Sequence, residues 1–151
     1  MKHLLLAAVV AANPIMPNAA TTPGAINLAV TQANIQQTIC TAGYTATIRP
    51  PASYTNKLKA KQLASGYAYK GDMNPADYEE DHLISLEIGG NPTDPKNLWP
   101  EPYAGTGARV KDQIEDQLHR LVCLGKMPLA TAQHLISTNW WLAYQTYVTK
   151  K

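Results

Sequence analysis

The run Glu79-Glu80-Asp81-His82 sets a carboxylate directly beside an imidazole, and Gly89-Gly90 and Asn97-Leu98 follow close behind. A histidine titrates near neutral pH and can take a proton from water. An adjacent carboxylate can hold a hard divalent cation against phosphate oxygens, where the ion acts as a Lewis acid. Hydrolysis of a phosphodiester needs both. Neighbours on an extended strand point to opposite faces, so Asp81 and His82 can serve one site only where the strand ends or bends. Charge is unevenly placed around this run. Arg49, Lys57, Lys59, Lys61 and Lys70 form a segment without an acid, whereas the stretch from Asp72 to Asp94 has seven carboxylates and no Lys or Arg. This reads either as a solvated helix face beside an acidic loop or as a phosphate-steering surface beside a cation site. Tyr44, Tyr54, Tyr67 and Tyr69 either stack on bases or fill a core that has no Phe.

The pattern resembles the HNH family of nucleases, of the ββα-metal superfamily. It has an acidic residue two before Asp-His (Glu79), an apolar residue after the histidine (Leu83), Gly-Gly seven and eight beyond it, and then Asn-Leu. The resemblance covers about 20 of 151 residues and concerns the site, not the whole chain. It implies an α+β fold with a small ββα-metal hairpin–helix core and additional short helices. It further implies a divalent-metal-dependent endonuclease acting on DNA or RNA, with Mg²⁺ as the expected ion and Mn²⁺ or Zn²⁺ as alternatives. On this resemblance His82 is the general base and Asp81 a metal ligand. Asn97 braces the loop and helps orient His82, and Gly89 and Gly90 permit a tight turn. Two departures stand out. Ser85 occupies the place of the usual proline, and Ala104-Gly105-Thr106-Gly107 stands where the helix-borne His or Asn is expected.

The following helix must then supply the missing ligand. Its apolar stripe is Val110, Ile114, Leu118, Leu121 and Val122. At 100° per residue, Lys111 and Glu115 fall on or beside that stripe, Asp112 and Asp116 point away, and His119 lies two turns further along. Glu115 is therefore the expected substitute metal ligand and Lys111 the expected phosphate contact. The plain alternative is an exposed helix salt bridge, worth a few tenths of a kcal/mol.

The elements that position these residues fit one domain, 21–151. Thr31 caps a short helix through Ile35 and Ile39, and the alternation Tyr44-Thr45-Ala46-Thr47-Ile48 predicts a strand stopped by Pro50-Pro51. Ser53 opens a helix closed at Gly66. An extended, hairpin-like segment runs from Tyr78 to Ile88, and a short return at Asn97–Trp99 is stopped by Pro100 and Pro102. Helices follow over Ala108–Leu124 and Leu129–Ser137, and Asn139 interrupts the chain before Trp140-Trp141 close the core. Residues 21–30 read as a loose lead-in. Ahead of them, Lys2-His3 and the apolar run Leu4–Ala12 read as a signal peptide over 1–20, cleaved after Ala20, which implies a secreted or periplasmic protein. Cys40 and Cys123 are the only cysteines and are expected to form one disulfide. No apolar run approaches the length of a membrane span. With 16% charged residues and a net charge of +2, the chain is neither disordered nor a polycation that coats nucleic acid.

Two further function classes compete. One is a non-catalytic secreted scaffold that binds nucleic acid or another anionic partner. The other is a carboxylate-based hydrolase using Glu79, Glu80 and Glu87, for which no spacing predicts a facing pair.

Overall fold

A computed structural model describes residues 14–150; the apolar run of the expected signal peptide lies outside the described residues. The elements, in order, are a 3₁₀ turn at Gln32–Gln37, α1 (Tyr44–Ile48), α2 (Ala52–Gln62), β1 (Tyr78–His82), a 3₁₀ turn at Leu86–Ile88, β2 (Leu98–Pro102), α3 (Ala108–Cys123) and α4 (Leu129–Tyr144). The class is α+β, with one two-stranded antiparallel sheet among the described residues. No described helix is long and apolar enough to cross a membrane.

One apolar core joins α3, α4 and the segment after β1, through Ile114, Leu118, Val122, Ile136 and Trp140 together with Leu83, Ile88 and Trp99. The α3 stripe follows the 3–4 spacing of a helix packed on one side. Its buried members are Ala108, Lys111, Ile114, Leu118 and Val122, so a lysine occupies a core position. α4 runs past Ser137 to Tyr144, with a break at Asn139 (φ −162°, ψ 85°). There the Asn139 Oδ1 accepts from the Leu142 N–H at 2.9 Å and starts the second half as an N-cap would.

Three segments differ from the sequence-based expectation. Tyr44–Ile48 is a short helix rather than a strand. Gly43 (φ 83°) turns the chain into it, and among the described residues no strand lies alongside to accept a ladder. Five alternating residues without a partner leave helix and strand equally open. β1 is shorter than expected and ends at His82, whereas β2 is longer and continues through Pro100 and Pro102. The register pairs Pro100 with Glu80 and Pro102 with Tyr78. A strand paired on one side only can aim the position of a missing N–H outward, which is why proline is tolerated here. Residues 21–30, finally, are no loose lead-in. Gly24 N–H donates to the Lys96 carbonyl at 2.9 Å, Asn27 N–H to Gly89 at 2.8 Å, and Asn91 N–H to Ala25 at 2.8 Å. Sequence shows no such pattern, because all three bonds join the segment to loops far along the chain. Upstream of the expected cleavage point, Ile15 packs against the core cluster.

Cys40 and Cys123 form a disulfide across 83 positions and tie the first 3₁₀ turn to the end of α3. Closing a loop of that length stabilises the fold by about 4–5 kcal/mol on chain-entropy grounds, an upper figure.

Candidate active site

β1 ends at His82, and the chain bends so that His82 and Asp81 line the same cavity despite being sequence neighbours. The cavity has a volume of about 320 Å³ and is walled by Glu79, Asp81, Glu87, Asp112, Glu115 and Asp116, with His82, Ser85, Leu86 and Arg49. A cleft of similar size lies between Thr21-Thr22 and the end of α2, but its lining has neither a carboxylate nor a histidine. The acid–imidazole chemistry belongs to the first cavity.

His82 is 6% exposed, and its Nε2 lies 3.0 Å from the Pro92 carbonyl oxygen. A carbonyl only accepts, so Nε2 carries the proton and donates it. The lone pair of a neutral ring then sits on Nδ1. Burial pushes the His82 pKa below its usual 6.5, against the opposing pull of the Pro92 bond and the Asp81 charge. The ring is neutral at pH 7 and basic at Nδ1, as a general base must be.

The loop that supplies the Pro92 carbonyl is held by Asn97, which is fully buried. Its Oδ1 accepts from Ile84 N–H at 2.9 Å, and its Nδ2 donates to the Ile84 and Asn91 carbonyls at 3.0 Å each. The Asn97 side chain makes no hydrogen bond to the imidazole ring among the described residues. Its place is that of a positioning residue, not of a group that meets the reacting atoms. Gly89 (φ 77°) makes the turn, and a Cβ on Gly90 would sit 1.7 Å from the Ile84 carbonyl oxygen, so the Asn97 brace leaves room only for glycine there.

Lys111, expected from the sequence to meet a substrate phosphate, faces the protein interior instead of the cavity. It is fully enclosed, and its three ammonium protons are all engaged. The Nζ donates to Asp81 Oδ2 at 2.7 Å, to the His82 carbonyl at 2.9 Å, and to Glu115 Oε1. Burial alone would lower its pKa, but the Asp81 and Glu115 carboxylates outweigh that effect and push it above the ordinary lysine range. Lys111 is thus a fixed positive charge beneath the cavity floor, tying β1 to α3.

Glu115 lines the cavity beside Asp81, but it is not the one helix carboxylate to do so. Asp112 and Asp116, expected to point away, line the same cavity. The wheel angle fixed their direction relative to the apolar stripe. It did not fix where β1 and the Leu86–Ile88 turn would cross α3. Residues 112, 115 and 116 are three and four apart and share one face.

Burial pushes Glu115 up to about 8, against the pull of Lys111. Burial and the neighbouring Asp81 charge likewise raise Glu79 and Asp112. Carboxylates raised together are short of positive charge, and they are oxygen donors of the kind that hard divalent ions take. Lys111 engages only one oxygen each of Asp81 and Glu115, which leaves each carboxylate a second. As donors these carboxylates suit a hard divalent ion, although among the described residues no three of their ligand atoms fall within 4.8 Å of one another.

Glu101 escaped sequence reasoning. It lies on β2 opposite Glu79, is fully buried, and has no donor to either oxygen among the described residues. Burial and the Asp81 charge hold its carboxyl well above the usual range. Its only sequence signal was its two-residue spacing from Trp99 on a buried strand.

A second group lies apart from the cavity. Ligand atoms of Cys40, His119 and Cys123 fall within 4.8 Å of one another and could hold a metal ion. Here the two sulfurs are bonded to each other and offer no thiolate. His119 Nε2 meets the Ile39 carbonyl at 2.9 Å, beside that bridge and away from Asp81.

Glu80 is absent from the cavity wall, as strand alternation from Glu79 and Asp81 requires. Both its oxygens are enclosed without a donor among the described residues, as is Gln62 Oε1, while the Lys59 ammonium donates to the Tyr78 carbonyl at 2.9 Å. Burial raises its carboxyl from 4.5 to about 8. The folded protein therefore keeps a proton that the unfolded chain releases. This contribution to stability is complete below about pH 4.5 and is lost as pH rises through about 8. Glu80→Gln should flatten the decline and stabilise the fold above pH 8 by about 1–3 kcal/mol after allowance for screening. Urea unfolding in EDTA across this range measures it; an unchanged pH slope would mean that Glu80 is ionised in the folded state.

Comparison with family models, with curated proteins and with solved structures returned no match for this chain.

Proposed function

We propose that the protein is a divalent-metal-dependent endonuclease of HNH type, exported to an oxidising compartment and acting on the phosphodiester bonds of nucleic acid. The carrying observation is the state of His82: neutral, held through Nε2–H on the Pro92 carbonyl, and basic at Nδ1 in a cavity walled by carboxylates. The chain order β1, β2, α3, with β1 and α3 walling the cavity, supports a ββα-metal core, and the disulfide supports export.

In this reading Asp81 and Glu115 would hold the ion, with Asp112 at the same wall. The ion would supply charge neutralisation at the scissile phosphate. His82 takes the proton of the attacking water at Nδ1. Lys111 holds Asp81 through Oδ2, so that its other oxygen has one direction. Asn97 keeps the Pro92 carbonyl where it holds the ring in its basic tautomer.

The test is incubation of the full exported protein with supercoiled plasmid and with single-stranded RNA, in Mg²⁺, Mn²⁺ or EDTA. Nicking or chain cleavage is expected with either ion and none with EDTA. Cleavage that survives EDTA would overturn the metal-dependent reading. Exposed Lys57 and Lys61 on α2 favour one alternative, a non-catalytic binder of nucleic acid or another anion; retained plasmid without cleavage would select it.

A further inference from the structure

Arg49 is the one Lys or Arg among the described residues that lines the acidic cavity. Its backbone is fixed from both sides. The N–H donates to the Thr45 carbonyl at 3.0 Å and closes α1, and the residue stands at φ −62°, ψ 128° ahead of Pro50-Pro51. A residue before proline is barred from the helical region, so the side chain starts from a rigid root. The guanidinium makes no ion pair within 4.0 Å and no hydrogen bond among the described residues, although carboxylates wall the same cavity. It is still near enough for its charge to act on Glu79 and His82. An arginine that borders six carboxylates and pairs with none of them is placed for an anion from outside the chain. A diester carries two unbridged oxygens, and the guanidinium fork matches such a pair with two parallel hydrogen bonds. The anion also needs this cation, because the cavity wall by itself repels phosphate.

We propose that Arg49 grips the scissile phosphodiester, the role that enclosed Lys111 cannot fill; this rests on the nuclease reading above. Arg49 acts on the phosphate being cleaved and not on flanking backbone, so its effect persists on a diester that has no neighbours. Lys70, from the same basic segment, lines a different cleft, and its loss leaves a small diester unaffected.

The experiment compares wild type, Arg49→Gln, Arg49→Lys and Lys70→Gln with Mn²⁺, on bis(4-nitrophenyl) phosphate and on a plasmid. Arg49→Gln should lower kcat/KM on the small diester by about 10- to 100-fold. Arg49→Lys should recover part of the loss, and Lys70→Gln should match wild type on that substrate. Calorimetry with Mn²⁺ alone should show undiminished affinity in Arg49→Gln, because removing a cation from the wall of a cation site cannot weaken it. A merely structural Arg49 would lose Mn²⁺ affinity and activity together, and that result overturns the proposal. Anisotropy of a labelled phosphorothioate oligonucleotide separates the two ways of failing. An Arg49→Gln variant that cuts as well as wild type refutes the phosphate contact and keeps the nuclease. A wild type that cuts nothing, yet binds the oligonucleotide only when Arg49 is present, refutes the nuclease and keeps the contact.

Discussion

His82→Ala should lower metal-dependent phosphodiester cleavage by about 10²–10⁴-fold, the usual contribution of a positioned general base. The variant keeps Asp81, Glu115 and Lys111, so its Mn²⁺ affinity should stay near that of wild type. The wild-type rate should also report the state of the ring. The base works when neutral, and burial lowers its pKa below 6.5. Activity should therefore rise with pH through a midpoint below 6.5 and be level around neutrality. A cation held beside Asp81 shifts that midpoint in the same direction, since it too disfavours an imidazolium. Single-turnover rates from about pH 5 to 8 measure both effects. Wild-type cleavage by His82→Ala, or an acid limb centred above 7, would remove His82 from the role of base.

The parts of this site that were legible in the sequence are those set by local chemistry. Gly89-Gly90 marks a turn because only glycine takes φ 77° without strain at one position and clears the Ile84 carbonyl at the other. The stripe on α3 is readable because helical periodicity spans four turns. Cys40 and Cys123 had only each other to pair with. What escaped was set by how elements cross. The wheel put Lys111 at the edge of the apolar stripe, and an edge position is equally consistent with solvent and with enclosure. The packing of the Leu86–Ile88 turn on α3, with Asp81 and the His82 carbonyl bonded to the ammonium, decided for enclosure. The same packing turned Asp112 and Asp116 into the cavity and left Arg49, which the sequence grouped with a surface charge run, as its one lining cation among the described residues. Glu101 was hidden for a related reason. A glutamate between two prolines reads as exposed, and only the pairing of β2 with β1 buries it against Asp81.

Lys111 carries the largest expected effect on stability. Lys111→Met removes the ammonium and keeps most of the side-chain volume, so the loss reports charge rather than packing. At pH 9, above the value of about 8 that Glu115 has beside Lys111, Asp81 and Glu115 are then left facing each other without their shared cation, and breaking one partner of a buried ion pair costs about 3–5 kcal/mol. For a domain of this size the unfolding midpoint should fall by about 10–20 °C, as calorimetry of the oxidised protein in EDTA would show. Two further variants separate this from a general loss of packing. Lys111→Met with Glu115→Gln should recover part of the loss, because one of the two stranded charges is gone; independent sites would simply add. Saturating Mn²⁺ should raise the midpoint of Lys111→Met by more than that of wild type, because the ion binds only the folded site and replaces the missing positive charge. A fall below about 1 kcal/mol would be the cost of an exposed pair, and it would contradict an enclosed Lys111. A fall of the expected size that neither Glu115→Gln nor Mn²⁺ relieves would place the cost in packing, and the carboxylates above Lys111 would lose their claim to a cation.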